Sequence, residues 1–361
     1  MKMSTVPTPL RHPFLLLALL IGLLAGGCED RLLPPDDDND STGAATGLVA
    51  YNKFFEDDAL PSPIFMGIAL VDSLGIEREF IQTKYPITAP SGNGLVAVID
   101  TSGRGIDLID LEEGKIVRNF RMPVGDDINY YSAAISPQGD RIAYSIEYDD
   151  GATTNESTRR IHIVKTDGSN PITLNVGAGH ESFVRFSPDG SRVAFFDATV
   201  DRSGWLYVAR VDGSDVRKIA DVGRVAHDGY MTMAWSPDGE EIVYTDFGNQ
   251  EIKIAAVDGS GTRLLGVTGM APDWSPDGAS ILYAAETGLA VAAADGTGSI
   301  RNLGLFAIFS TWSPDGRKIL CFEVDPGIDL DQQMPQLVVV DAATSARGPV
   351  TESAYYGHWY R

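Results

Sequence analysis

The strongest constraint in this sequence is a four-residue turn that returns five times, each copy following an apolar residue. Ser236-Pro-Asp-Gly239 follows Trp235, Ser275-Pro-Asp-Gly278 follows Trp274, and Ser313-Pro-Asp-Gly316 follows Trp312. Ser187-Pro-Asp-Gly190 follows Phe186, and Ser136-Pro-Gln-Gly139 follows Ile135. The steps from serine to serine are 51, 49, 39 and 38 residues. Periods of this size belong to propeller blades or helical arrays, and the residue types decide between them.

A short branched or aromatic run follows each turn: Ile142 to Tyr144, Val193 to Phe196, Ile242 to Tyr244, Ile281 to Tyr283 and Ile319 to Phe322. Such runs between turn residues read as strands. Pro presets φ early in the turn, Asp bonds its own backbone, and Gly accepts the positive φ that closes a hairpin. A second hairpin recurs at Thr166-Asp-Gly168, Val211-Asp-Gly213, Val257-Asp-Gly259 and Ala294-Asp-Gly296, with a third strand before it and a more polar fourth after it. Four strands per repeat, the last most exposed, make a propeller blade.

The repeat extends beyond its clear copies. A degenerate copy is read at Ala89-Pro-Ser-Gly92, followed by strands at Leu95 to Val98 and Ile106 to Ile109. Upstream, Leu48 to Tyr51, Ile68 to Val71 and Glu77 to Phe80 match the second, third and fourth strands of a blade without its innermost strand. At the other end, Tyr355-Tyr-Gly-His-Trp359 imitates the segment that precedes each turn. The expectation is therefore an all-β ring whose C-terminal strand completes its N-terminal blade, removing an exposed sheet edge. Seven blades are expected over residues 47 to 361, with six and a separate N-terminal cap as the alternative.

An aromatic residue, Ser-Pro-Asp-Gly, two strands and then Asp-Gly resemble the TolB-type, WD40-like propeller repeat, from about residue 84 to 350. The resemblance implies the fold and says little about activity, because this repeat serves several functions. TolB itself implies a periplasmic platform that bridges envelope partners, although its N-terminal α/β domain has no counterpart here. Prolyl oligopeptidase-type enzymes join such a propeller to a hydrolase domain. Here the blades are read as using every residue after Gly47.

The N-terminus reads as an address. Lys2 and Arg11 precede an apolar run from Phe14 to Ala25, and small residues stand before Cys28. That is the pattern of a secretory signal peptide, residues 1 to 27, too short for a comfortable transmembrane span. Leu24-Ala25-Gly26-Gly27-Cys28 resembles the bacterial lipobox, with Ala25 where that motif favours Leu or Val. The resemblance implies acylation of Cys28 and a stable anchor in the cell envelope, facing periplasm or cell surface. Residues 28 to 46 read as a solvated acidic tether; an EF-hand reading of Asp36, Asp38 and Asp40 fails because Ser41 stands where that loop needs Gly.

Composition narrows the partners. With 28 Lys and Arg against 50 Asp and Glu, the net charge of −22 makes nucleic acid a poor ligand. No nucleophile elbow is present, and His180-Glu181 meets Val184 where a metalloprotease motif needs its second His. Cys321, in an apolar strand, reads as a structural thiol, and His162, between Ile161 and Ile163, as a half-exposed strand residue.

Three histidines cluster by position. His180 stands seven residues before Ser187, His227 nine before Ser236, and His358 one before Trp359. Their loops enter the central funnel, where Glu181, Asp228, Tyr130 and Tyr356 are expected to join them as candidate ligand-binding residues. Imidazoles with carboxylates suit a divalent metal or an anionic sugar, and the arrangement resembles oligogalacturonate lyases without matching them residue for residue. Inserts at Asp149 to Thr158 and Asp325 to Met334 are further candidate contact loops. The expected function is a monomeric, lipid-anchored, non-catalytic platform for an envelope protein or glycan. The alternative is a metal-dependent polysaccharide lyase or hydrolase built on the funnel histidines.

Overall fold

The computed structural model describes residues 48–56, 64–71, 77–83, 90–100, 105–120, 128–148, 158–174, 176, 182–198, 203–224, 233–327, 336–351 and 354–360. Among them there are 27 strands and no helix, and neighbouring strands within each sheet run antiparallel. The expected leader, Cys28 and the tether lie outside the described residues.

Strands β1 (Leu48–Glu56), β2 (Ile64–Val71) and β3 (Glu77–Thr83) open the chain. The next sheet has three strands, β4 (Leu95–Ile99), β5 (Ile106–Asp110) and β6 (Lys115–Phe120). Four-stranded blades follow. One comprises β7 (Ile128–Ile135), β8 (Arg141–Tyr148), β9 (Thr158–Lys165) and β10 (Ile172–Thr173). The next comprises β11 (Ser182–Phe186), β12 (Arg192–Ala198), β13 (Ser203–Arg210) and β14 (Arg217–Arg224). A third comprises β15 (Met233–Trp235), β16 (Glu241–Asp246), β17 (Glu251–Ala256) and β18 (Thr262–Thr268). The fourth comprises β19 (Met270–Trp274), β20 (Ser280–Ala285), β21 (Gly288–Ala293) and β22 (Arg301–Asn302). The fifth comprises β23 (Ala307–Trp312), β24 (Lys318–Glu323), β25 (Gln336–Asp341) and β26 (Arg347–Thr351).

Strand β27 (Ala354–Tyr360) does not extend that fifth blade. It pairs with β1, Trp359 opposite Val49, and gives the sheet order β27-β1-β2-β3. The ring is closed by its terminal strands, as the imitation at Trp359 predicts. The blade count differs from expectation: six blades are complete, not seven, and the remaining sheet is three-stranded. Its strands follow a turn and so correspond to the second, third and fourth of a blade. The position of an inner strand, 84–89, lies outside the described residues.

The recurrent turn is held by its serine. Ser236 Oγ donates to Asp238 Oδ1 at 2.6 Å and accepts the Glu241 N–H at 2.9 Å, while Gly239 N donates to the Ser236 carbonyl. The same set recurs at Ser187, Ser275 and Ser313. Where Gln138 replaces the aspartate, Asp140 takes its place and accepts from Ser136 Oγ at 2.8 Å. Each closing glycine sits at φ near +70°, where a Cβ is strained. The degenerate copy is corrected by two residues. Its turn is Ser91-Gly-Asn-Gly94: Ser91 Oγ accepts the Leu95 N–H at 3.0 Å and contacts Asn93 Oδ1, and Gly94 takes the positive φ. Pro90 falls outside that turn.

The core lies between successive sheets rather than in one centre. Phe196, Leu206 and Val222 of one blade pack on Trp235, Ile242 and Tyr244 of the next. Ile252, Ile254 and Leu265 likewise pack on Trp274, Ile281 and Tyr283. Tyr144, Tyr244 and Tyr283 are each at most 2% exposed, so the repeated aromatics are interblade packing. Burying one large apolar side chain contributes about 1.5–3 kcal/mol, which makes each seam a strong joint.

Outer strands carry a second joint absent from the sequence reading. Arg118, Arg217, Arg263 and Arg301 each donate to a main-chain carbonyl at the Asp-Gly or Asp-Ala turn of a following blade: Asp167, Asp258, Ala294 and Ala342. The distances are 2.6–3.1 Å.

Candidate functional site

Inner strands surround the axis, so the residues they carry define the candidate site. Register aligns them. Ala134 pairs with Ala143, Arg185 with Ala194, Ala234 with Val243, Asp273 with Leu282 and Thr311 with Leu320. Each stands two residues before its turn serine. His358 pairs with Ala50 one step before Trp359, which places it on the same rung. The rung thus carries a cation, an acid, a hydroxyl and an imidazole-bearing residue.

Asp273 is the best-defined member. Its Oδ2 accepts the Trp312 N–H at 3.0 Å, across the seam to the next blade. Enclosure pushes its carboxyl up to about 6, against the pull of the Trp312 N–H, the Thr311 hydroxyl, the Trp274 N–H and the Arg185 charge. Arg185 is exposed, so the rung offers both charge signs. The sequence signal for these groups was available, since they share one place in the repeat. It was missed because most repeat positions vary and only their register singles this one out.

Further along the inner strands, Tyr130 pairs with Ile146 and Tyr356 with Asn52. These partners are within one rung of each other when counted from the turns, so both tyrosines stand at the end remote from the turns. The same level carries buried acids at the ends of second strands: Asp100, Asp197 and Asp246, at 7%, 3% and 8% exposure. Asp246 is held by Lys253 and by the Gly248 N–H. Burial raises Asp197 to about 6 although the Arg160 charge opposes it, and its Oδ1 has no hydrogen-bond partner among the described residues.

His180, Glu181, His227 and Asp228 lie outside the described residues, as do 149–157 and 328–335 of the two inserts. Among the described residues, no three His, Cys, Asp or Glu side chains come together as a metal site. Cys321 is fully buried in β24, bonded weakly to the Val338 carbonyl, and burial pushes its thiol up to about 12. That suits a structural thiol and not a nucleophile. His162 is corrected: it is 6% exposed, stacked on Tyr144 and bonded to Thr173 Oγ1 at 3.0 Å. Desolvation lowers its imidazole to about 4, so it is a neutral core residue near neutral pH.

Comparison with known proteins bears on this scaffold. The family described as the TolB beta propeller domain (PD40) matches residues 106–303. The uncharacterized peptidase YuxL of Bacillus subtilis strain 168 is 31% identical over 130 residues, covering 35% of this chain and 19% of that protein. The chain thus matches about a fifth of the length of that curated relative. Among solved structures, a puromycin hydrolase superposes with a TM-score of 0.64 at 15% identity, over 94% of this chain and 55% of that one. An oligogalacturonate lyase in complex with manganese gives 0.57 at 14% identity, over 88% and 98%. TolB from Acinetobacter baumannii gives 0.51 at 15% identity, over 88% and 67%. At these identities the likeness is one of fold.

Proposed function

The chain belongs to the TolB beta propeller domain family, and on that footing we propose that it is a lipid-anchored protein of the bacterial cell envelope whose ring is a non-catalytic platform for a protein or glycan partner. The observation that carries this reading is the closure of the ring at its first strand. β1 begins at Leu48 and is paired on its inner side by β27, and we read the segment from Cys28 as the leash of a ring closed from that strand onward. Between Cys28 and Leu48, about 19 residues reach at most roughly 65 Å, and their acidic content favours an extended chain. Support for a platform comes from the inner rung, where Arg185 and Asp273 offer charges of both signs to a polar ligand.

The second reading is a metal-dependent polysaccharide lyase or hydrolase with His180, His227 and His358 as ligands. It is favoured by the place of His358 on the Asp273 rung. One set of measurements separates the two. Mass spectrometry of the protein from a bacterial host is expected to find acylated Cys28 in the membrane fraction, with Cys28→Ser released. A soluble, unacylated wild type would refute the anchor. Photocrosslinking from the Arg185 position in cells is expected to trap a partner that Asp273→Ala loses and His180→Ala keeps. Stoichiometric metal lost in His180→Ala, together with turnover of an anionic polysaccharide, would replace the platform with the enzyme.

A further inference from the structure

A departure from the repeat on the ring's outer side lies between β18 and the blade that follows it. Three residues of β18, Leu265 to Val267, stand opposite the single Ile252 of β17, because Lys253 pairs with Leu264 while Glu251 pairs with Thr268. Such a bulge bends the strand. In the next blade the outer strand β22 has two residues, as β10 has, where β18 has seven and β14 eight. The bent strand and the short one leave a cavity of about 530 Å³ between them. That is within the range of ligand pockets, about 300–1,000 Å³.

Its walls are fixed. Asn302 Nδ2 donates to the Thr287 carbonyl at 3.0 Å, and Asn302 Oδ1 accepts the Gly304 N–H at 2.7 Å. Tyr283, 2% exposed, forms the floor with Ala290. At the mouth stand Leu264 and Ile300, 57% and 55% exposed, the two most exposed of four exposed large apolar side chains among the described residues. Apolar groups gathered in a shaped groove mark a contact surface, whereas scattered ones do not. The polar lining is acidic. Glu286 contributes a carboxylate, Glu251 contributes a second that is paired with Lys253 at 3.6 Å, and none of the twelve lining residues is itself Lys or Arg.

We propose that this groove is a docking site for an extended, cationic and apolar peptide segment of a partner protein. Leu264, Ile300 and Val267 would take its apolar side chains and Glu286 a basic one. The charge decides among occupants. The chain's own segment from Glu29 to Asp40 carries Asp36, Asp37, Asp38 and Asp40, and would bring like charge to the rim. A second copy, at net charge −22, would do the same. The groove lies on outer strands, apart from the inner rung, so this proposal does not rest on the platform reading, and each can fail without the other.

The test uses the purified full-length protein and three dansyl-labelled peptides: one alternating Leu with Lys, one Leu with Glu, one Ser with Lys. Saturable one-to-one binding is expected for the Leu/Lys peptide and at least tenfold weaker binding for the other two. The double variant Leu264→Asp with Ile300→Asp should weaken the Leu/Lys peptide at least tenfold, although it adds two negative charges. Adsorption to the acidic surface would instead strengthen, so unchanged or tighter binding overturns the proposal. Glu286→Lys, on the rim and away from the core, should also weaken it and guards against a folding defect in the double variant. Equal binding of all three peptides, or mass-action dimerisation through the groove without peptide binding, overturns it too.

Discussion

Replacing Ser236 with alanine should destabilise the ring far more than the loss of one surface hydroxyl. Ser236 is 3% exposed, and its Oγ both donates to Asp238 Oδ1 and accepts the Glu241 N–H. A hydrogen bond to a charged group contributes about 1.5–3 kcal/mol, and the exposure of Asp238 places this one at the low end. Stranding the Glu241 N–H adds about 1–3 kcal/mol to the extent that water cannot reach it. The expected cost of Ser236→Ala is therefore about 2–4 kcal/mol. Asp238→Ala breaks the same serine bond and frees the Glu240 N–H, but that N–H faces water and Ser236 Oγ still accepts the Glu241 N–H, so about 1 kcal/mol is expected. Urea unfolding followed by tryptophan fluorescence gives both numbers from midpoints at a shared slope. The repeat supplies its own replicate: Ser313→Ala, with contacts of 2.7 and 2.9 Å, should match Ser236→Ala. A serine variant costing less than about 0.5 kcal/mol, or an aspartate variant costing as much as the serine one, would refute the assignment of the load to the serine.

Asp140→Ala should cost about as much as Asp238→Ala, and Gln138→Ala less, because Asp140 has taken over the turn bond; the same urea series decides. Arg263→Ala should cost about 1–3 kcal/mol through the bond to the Ala294 carbonyl and the pairing with Glu241, with Arg263→Lys recovering only part. Asp197 has its folded pKa raised to about 6, so the native state holds the proton more tightly and this residue's contribution is lost as pH rises from about 4 to 6. Asp197→Asn should accordingly raise the thermal midpoint more at pH 8 than at pH 4. His162 runs the other way: its folded pKa of about 4 is below the free value, so its contribution is present above about 6.5 and lost as pH falls towards 4. His162→Gln should flatten that acid limb, measured as the midpoint difference from wild type across the window.

Turns and strands were legible because Pro and Gly at fixed places leave few backbone solutions, and because Trp359 copies the segment before each turn. The degenerate turn was read two residues early, since Ala89-Pro90 offers a proline that the true turn replaces with Gly92. His162 was misjudged for a physical reason. Isoleucines on both sides send it to the opposite face of β9, and in a propeller that face also meets a neighbouring sheet, so it is buried. The interblade arginines were illegible, because each partner is a carbonyl 31 to 49 residues away and carries no side-chain signature. Register places Tyr130, Tyr356 and His358 on inner strands, while Arg185 and Asp273 emerged only once the rungs were counted.

The pairing of β27 with β1 also governs when the molecule can come into being. Val49 and Trp359 are about 310 residues apart in sequence, yet they are opposite partners in one sheet. Every other blade is assembled from neighbouring segments and can form as the chain emerges. This blade alone must wait for the last strand. Long-range contacts of this kind slow folding, because loop entropy is lost before any contact compensates. Until closure, β1 presents an open edge of unpaired main-chain groups, and a polypeptide that pauses there is poised to pair with the wrong strand. A chaperone or secretion factor that shields β1 until β27 arrives would therefore act on yield without touching the stability of the finished ring.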